Sequence, residues 1–175
     1  PKVPIVIDPV LKATTGGDLS GDDTRQVYLE RLMPLAHLFT PNILEAAKLL
    51  QQPAAVSVGE AEQQAAALKA KGAQAVLLKG GHLNSQLPHE QTLACDVLID
   101  ALGTYRFTAP RVAAEHSHGS GCTLASAIAS GLAQGLNLRQ AIAAAKTFIG
   151  GALEQSARLQ LAAHNGPIHH FYAYW

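Results

Sequence analysis

Short, uniformly apolar runs along this chain alternate with longer stretches in which apolar residues recur every three or four positions. The apolar runs are rich in Val, Ile and Leu, which is typical of strands buried on both faces of a parallel sheet. Such strands are predicted at residues 3–7, 37–40 and 75–79. Two further strands, 95–100 and 105–108, flank a turn-like Ala-Leu-Gly-Thr segment and are predicted to form a β-hairpin.

Helical spacing separates the predicted strands, and start and stop signals bound several of these segments. Helices are predicted at residues 22–32, 42–50, 59–71, 122–135 and 137–163. Polar loops are predicted at residues 14–18 and 84–92. Strands that alternate with helices indicate an α/β fold with a doubly wound, mostly parallel sheet.

Composition narrows the class of protein further. The 175 residues are 48% hydrophobic and 15% charged, which is typical of a globular chain. The 13 basic and 13 acidic residues cancel, so a nucleic-acid partner is not expected. No apolar run approaches the length of a membrane span, so a membrane partner is not expected either. Cys95 and Cys122 lack paired spacing, which favours reduced thiols and a cytoplasmic protein.

A glycine turn leads directly into the fourth predicted helix. Gly119 and Gly121 bracket Ser120, and glycines tolerate the positive φ that lets backbone N–H groups converge. The start of the helix adds N–H donors and the positive end of its dipole, so the turn favours an anion such as phosphate. The same groups would stabilise the thiolate of Cys122, which could then act as a base or nucleophile. A plain loop and a packed cysteine are the structural alternatives.

Polar residues also follow the predicted parallel strands. Ligands of doubly wound sheets bind beyond the carboxyl ends of the strands, where Asp8, Asn42, Glu45 and Lys79 all fall. Asn42 and Glu45 match a capping box, which explains both residues, whereas a pair close to a metal ion is the functional interpretation. Lys79 precedes two glycines and is either a phosphate contact or a solvated lysine. The sequence therefore predicts that these residues and the glycine turn share one site.

The likeness to known proteins lies in five segments, which are residues 6–10, 40–47, 77–82, 118–124 and 166–172. In the same order, these segments resemble the ribokinase-like superfamily and above all the hydroxymethylpyrimidine and phosphomethylpyrimidine kinases of thiamine biosynthesis. The resemblance implies the three-layer, doubly wound fold of that superfamily. Members of the family carry a further half-domain, with much of the pyrimidine pocket, before the strand that ends at Asp8. Residues 1–175 are therefore expected to be the C-terminal part of a single kinase domain, its nucleotide and phosphoryl-transfer half.

The resemblance implies ATP-dependent phosphorylation of hydroxymethylpyrimidine and its monophosphate. Cys122 stands where related sugar kinases carry an aspartate base, and it would take the proton from the substrate's hydroxymethyl group. Gly119, Ser120 and Gly121 would form the anion hole for the phosphoryl group in transfer. The small-molecule pyrimidine is thus the expected substrate.

The resemblance also implies residues for ATP and Mg²⁺. Lys79 matches a contact to the nucleotide phosphates, and Asp8 matches a polar position near the metal and phosphates. Thr123, the next residue of the glycine motif, belongs with these cofactor-binding residues. Asn42 and Glu45 match the family's magnesium-associated pair. Mg²⁺ prefers few protein ligands together with waters and substrate phosphates, so one Asn/Glu pair is an adequate metal contact.

Other functions stay open on the sequence. A pyridoxal (vitamin B6) kinase and a non-catalytic nucleotide-binding fragment fit the same segments. A metal site could also be built from histidine and cysteine side chains, although their spacing matches no standard zinc pattern. The residues of that third hypothesis are His116, His118, Cys122, His169 and His170.

The first predicted strand leads to an expectation about partners. Residues 3–7 show no polar alternation, so both faces of this strand need cover and its backbone needs a neighbouring strand. An uncovered apolar edge tends to pair with another chain. We therefore expect a homodimer, or association with the N-terminal part of the kinase domain.

Overall fold

The computed structural model describes residues 3–11, 22–81, 83 and 92–175. The chain falls into two compact units, Pro1–Arg111 and Val112–Trp175. The predicted loop 14–18, and the predicted loop 84–92 except for Thr92, lie outside the described residues.

The described strands all belong to the first unit and form one sheet in the order β1-β2-β3-β4-β5. They are β1 (Val6–Ile7), β2 (Leu38–Phe39), β3 (Val76–Leu78), β4 (Leu93–Asp100) and β5 (Gly103–Pro110). The pairs β1–β2 and β2–β3 are parallel, whereas β3–β4 and β4–β5 are antiparallel. The predicted α/β architecture and hairpin are confirmed. The described sheet is mixed because the hairpin continues it beyond the parallel strands.

The helices of the first unit pack against the sheet. They are α1 (Asp22–Val27), α2 (Ile43–Leu50) and α3 (Val58–Ala70), and α1 continues as a π-helical turn, Tyr28–Leu32, and a 3-10 turn, Met33–Leu35. Large apolar side chains of α2, α3 and the sheet form one buried core, including Leu49, Leu68, Phe39, Val76 and Val97. Burial of such side chains stabilises the fold by about 1.5–3 kcal/mol each.

The first strand differs from the prediction. Only Val6–Ile7 forms strand, and Val3 and Ile5 are 82% and 45% exposed, so the buried strand predicted over 3–7 is wrong in its first half. β1 lies at an edge of the sheet and, among the described strands, pairs with β2 alone. Burial would stabilise the apolar side chains of this run, but the described residues of the chain leave Val3 and Ile5 exposed.

The second unit is helical. Its helices are α4 (Ser120–Ala133) and α5 (Leu138–Glu154), followed by a 3-10 turn, Ser156–Leu159. α4 and α5 pack closely at Gly131, where an added Cβ would lie 3.1 Å from the Cβ of Ala141. The last helix ends earlier than predicted because the chain turns into the 3-10 segment, and Gln160 then adopts positive φ. Within the described residues, no helix is long and apolar enough to cross a membrane.

Candidate functional site

Three parallel strands deliver polar side chains to one edge of the sheet. Asp8 follows β1, Thr40 follows β2 and Lys79 follows β3. The Lys79 ammonium donates to Asp8 Oδ1 at 2.6 Å, and Thr40 Oγ1 donates to the same oxygen at 3.1 Å. Parallel strands end at the same edge of a sheet, so residues far apart in sequence meet there.

The start of α2 joins this group. Asn42 Oδ1 accepts the Glu45 N–H at 2.9 Å, and Glu45 Oε2 accepts the Asn42 N–H at 2.7 Å, so the predicted capping box is formed. Asn42 lies beside Lys79 in a parallel bridge, and the Lys79 N–H donates to Pro41 O at 2.8 Å. As a result, Glu45 Oε2 lies 4.0 Å from Lys79 Nζ. The structure thus brings together the four predicted residues of the first unit.

Burial shapes the electrostatics of this group. The Asp8 and Lys79 side chains are each 13% exposed, and Glu45 is 8% exposed. Burial raises the pKa of Glu45 above its usual range and the Asp8 charge adds to this effect, whereas Lys79 and N–H donors from Asn42 and Leu11 oppose it. One ammonium faces two carboxylates here, so the three groups carry a net negative charge when all are ionised. Such a group favours a further cation.

Two residues at this edge were absent from the predicted site. The sequence indicates Thr40 only weakly as a site residue, because its one relevant feature is that it is the polar residue at the end of an apolar strand. Tyr28 lies in the π-helical turn and packs edge-on against Phe39, with ring centroids 6.3 Å apart. Burial, followed by the negative charges of Asp8 and Glu45, raises the pKa of Tyr28. Single-turn π-helices are frequent at functional sites, but sequence spacing gives no sign of them.

The second unit carries the predicted glycine turn. Gly119 has φ of +84° and is the N-cap of α4, so the turn runs into a helix as predicted, with Ser120 rather than Cys122 as its first residue. The Thr123 N–H donates to Gly119 O at 2.9 Å. Gly121 and Cys122 therefore lie in the first helical turn, where N–H groups have no intrahelical acceptor. Cys122 is exposed, whereas Cys95 is buried in β4.

The C-terminal tail contacts this turn through side chain and backbone. Thr123 Oγ1 and His170 Nε2 lie 3.0 Å apart and share a hydrogen bond. His118 forms a parallel bridge with Pro167, and its N–H donates to Gly166 O at 3.1 Å. The tail thus holds both ends of the glycine motif.

The histidines of the second unit have separate surroundings. His116 is buried, and its Nδ1 accepts the Gly166 N–H at 2.9 Å. His169 is buried beside the Trp175 ring at a centroid distance of 5.1 Å. Among the described residues, no three His, Cys, Asp or Glu side chains come together to hold a metal ion. The structure therefore gives the histidine–cysteine metal site no support.

The fold is that of ribokinase-like kinases. A solved pyridoxal kinase from Bacillus subtilis, in complex with ADP, superposes with a TM-score of 0.82 at 32% identity, covering 96% of this chain and 59% of that one. The phosphomethylpyrimidine kinase family model matches residues 1–169, and the chain belongs to that family.

Two curated relatives illustrate the match. The hydroxymethylpyrimidine/phosphomethylpyrimidine kinase of Rhizobium meliloti (strain 1021) is 41% identical over 170 residues, covering 97% of this chain. The protein of the same name from Escherichia coli (strain K12) is 37% identical over 171 residues, covering 98% of this chain. The chain spans 62% of the length of each of these relatives.

Proposed function

We propose that the protein containing this chain transfers the γ-phosphoryl group of ATP to hydroxymethylpyrimidine and to its monophosphate in thiamine diphosphate biosynthesis. The observation that carries the proposal is the Lys79 ammonium held between two carboxylates, beyond parallel strands, in a member of this family. The relatives' names and the ADP bound to the solved pyridoxal kinase support the reaction type and the nucleotide.

Lys79 and Asp8 serve the nucleotide in this proposal. The Lys79 ammonium exchanges its 2.6 Å contact with Asp8 for phosphate oxygens, which are stronger anionic partners. Thr40 continues to donate to Asp8 and so keeps that carboxylate at the edge of the sheet. Because the contact with Asp8 already orients the Lys79 side chain, less conformational entropy is lost when the phosphates bind.

The residues at this edge fit a magnesium ion. Mg²⁺ prefers oxygen ligands, a few carboxylates and the substrate's phosphates. Glu45 and Asn42 present carboxylate and amide oxygens, and Asp8 adds a second carboxylate beside the same ammonium group. When bound, the ion neutralises charge on the phosphates during transfer. Glu45 and Asn42 would hold it, in part through water.

The glycine turn serves the phosphoryl group in transfer. N–H groups of Gly119, Ser120 and Gly121 stabilise its oxygens, and the Ser120 N–H exchanges its 3.2 Å hydrogen bond to Ser117 O for this contact. In the transfer to hydroxymethylpyrimidine, the Cys122 thiolate, favoured by the helix start, removes the hydroxymethyl proton while that oxygen attacks the γ-phosphorus. In the transfer to the monophosphate, an oxygen of the substrate's own phosphate is the nucleophile. The bond from the γ-phosphorus to the bridging oxygen breaks, and ADP leaves. Thr123 contacts the nucleotide, and its hydrogen bond to His170 limits its side-chain freedom.

Residues 1–175 form, in this proposal, the nucleotide and phosphoryl-transfer half of a single kinase domain. The span of 62% of the relatives' length supports this assignment. Exposed Val3 and Ile5 beside edge strand β1 support a partner there, either the N-terminal part of the domain or a second copy in a homodimer. Two thiols without a disulfide fit a cytoplasmic protein.

A pyridoxal kinase is the second candidate. The observation that favours it is the 0.82 TM-score and 32% identity to a solved pyridoxal kinase. Much of the pocket that would separate the two substrates is expected outside this chain, so the substrate has to be tested directly.

The test uses the intact natural polypeptide that contains this chain, with phosphorylation of hydroxymethylpyrimidine and of pyridoxal followed side by side. Cys122→Ala should lower turnover about 10²–10⁴-fold while ATP binding stays largely intact, because a general base is lost. Cys122→Ser should also be slow, since a hydroxyl is a much weaker acid than a thiol. Cys95→Ala is the matched control and should change the rate little.

The outcomes separate the candidates. Near-normal turnover of Cys122→Ala would contradict the base assignment. Preferential phosphorylation of pyridoxal would favour the second candidate. ATP binding without phosphorylation of either compound would indicate a non-catalytic nucleotide-binding protein.

A further inference from the structure

The backbone that follows Lys79 is held by side chains of the hairpin. β3 leaves its ladder with β4 after the pair Leu78–Val97. Beyond that point, the Gly80 N–H donates to Asp96 Oδ1 at 2.8 Å, a buried contact between residues 16 apart. A carboxylate therefore takes the place of a strand carbonyl at the residue next to Lys79.

Gly80 is pressed directly onto β4. A Cβ at this position would lie 1.9 Å from the carbonyl oxygen of Cys95, far inside any real contact. The backbone here can approach β4 only because glycine has no side chain. The short approach brings the Gly80 N–H within reach of Asp96, which is the next residue of the same strand.

Arg111 holds the other side of this turn. Its guanidinium donates to the carbonyls of Gly81 and Leu83 and, at 3.2 Å, to that of Leu93 at the start of β4. The Leu83 N–H also donates to Gly80 O at 2.9 Å. A planar guanidinium with several fixed donors ties such a turn to a strand more rigidly than an ammonium could.

Together, these contacts restrict the position of the Lys79 side chain. The Lys79 N–H is fixed by Pro41 O at 2.8 Å, and the next N–H, that of Gly80, is fixed by Asp96. With both amides anchored, the Lys79 Cα has little freedom, and its ammonium reaches Asp8 at the carboxyl edge. Misplacement by about 1 Å can cost a catalysed reaction about 10²-fold, so such anchoring matters if Lys79 binds phosphate.

We propose that Asp96 and Arg111 are positioning residues, which act through the Lys79–Gly80–Gly81 turn to aim the Lys79 ammonium at the phosphates of the nucleotide. The inference rests on the proposed function, because it takes phosphate as the ligand of Lys79. It assigns these residues no contact with substrate. Because they act by positioning Lys79, changing either residue should impair the use of ATP and leave the binding of the pyrimidine unchanged.

The experiment is a double-mutant cycle on the intact natural polypeptide, with KM for ATP, KM for the pyrimidine and kcat measured for each variant. Asp96→Ala should lower kcat/KM for ATP by about 10²-fold while KM for the pyrimidine stays unchanged. Asp96→Asn should restore most of the loss, since its amide oxygen can accept the same N–H. In the Lys79→Ala background, Asp96→Ala should lower kcat/KM for ATP little further, because the effects of mutations at coupled residues do not add.

Two further variants complete the design. Asp100→Ala is the matched control, because Asp100 also lies on β4 and its Oδ1 accepts a backbone N–H, that of Leu102, at 2.7 Å. It should leave the ATP parameters unchanged. Arg111→Met, tested alone and with Lys79→Ala, supplies a second cycle if Asp96→Ala does not fold, and it should show the same ATP-selective and non-additive loss.

The outcomes distinguish this inference from the proposed function. If Lys79→Ala leaves KM for ATP and kcat normal, the phosphate role of Lys79 and this inference are both overturned. If Lys79→Ala is impaired but the Asp96 and Arg111 variants are normal, additive with it, or equally impaired for both substrates, this inference alone is overturned. ATP-selective, non-additive losses support it.

Discussion

Two helices in this chain begin with the same arrangement of side chains. At α2, Asn42 and Glu45 exchange hydrogen bonds of 2.9 and 2.7 Å with each other's backbone N–H. At α5, Asn137 and Gln140 do the same at 3.0 and 3.1 Å. Both are complete capping boxes, and both satisfy N–H groups that a helix start leaves without partners.

The two boxes differ in charge and burial. Asn137 and Gln140 are exposed and neutral, whereas Glu45 is buried and lies 4.0 Å from the Lys79 ammonium. Gln serves at this position as well as Glu does, so capping alone does not require a carboxylate. A buried charge carries a desolvation cost that the exposed box avoids. The difference indicates that the charge at residue 45 has a role besides capping.

The largest effect is expected from a substitution that removes the charge of Glu45 but keeps its capping hydrogen bond. Glu45→Gln keeps an N3 side chain that can accept the Asn42 N–H but removes the charge. We expect kcat/KM of the intact protein to fall about 10–100-fold, the range found when groups that orient or neutralise a bound metal are changed. The loss should be measured across a range of Mg²⁺ concentrations and should shrink as Mg²⁺ rises.

The reciprocal change is the control for this prediction. Gln140→Glu gives the exposed box a carboxylate and should leave turnover unchanged. If Glu45→Gln turns over normally, the two boxes are equivalent and the magnesium role of Glu45 is wrong.

Cap deletion should have an intermediate effect, this time on stability. Asn137→Ala should lower the free energy of unfolding by about 1 kcal/mol, and Asn42→Ala by about 2 kcal/mol, near the upper end for N-caps. The difference arises because the buried Glu45 is anchored by the box at α2, and unpaired groups cost more when buried. Urea denaturation of the two variants measures it. Equal losses would mean that burial at α2 adds nothing to the cap.

The smallest expected effect concerns pH. The raised pKa of Glu45 means that the folded state binds this proton more tightly than the unfolded chain does. The free energy of unfolding should therefore fall as pH rises from the usual glutamate pKa of about 4.3 through the raised pKa of the folded state. Glu45→Gln cannot titrate and should remove this part of the decline, whereas Gln140→Ala should leave it in place. Melting temperatures of the wild type and of Glu45→Gln from pH 4 to 8 test this direction. If the stability of the wild type relative to Glu45→Gln increases with pH in this window, the prediction is wrong.

What could be predicted from the sequence was mostly local. The capping box at α2, the glycine turn before α4 and the hairpin are each specified within a few residues, and all are present. The meeting of Asp8 with Lys79, 71 residues apart, could be expected only because parallel strands share an edge.

What could not be predicted depends on contacts between distant residues or on backbone irregularity. Asp96 looked like an ordinary strand residue, because its partner Gly80 is reached across a strand pair. Tyr28 is placed by a π-helical turn that leaves no periodic signal. Val3 and Ile5 were predicted to be buried from their apolar character, but they are exposed and precede the edge strand β1.

The doublet Gly80-Gly81 has a consequence for how relatives of this chain should vary. Gly80 sits against the Cys95 carbonyl, whereas an added Cβ at Gly81 would meet none of the described atoms within 4 Å. Among homologous proteins we expect the first glycine to be retained and the second to drift toward alanine or serine. The two letters look like one motif, but natural selection should act on them unequally, and a survey of natural variants would reveal that asymmetry without any mutagenesis.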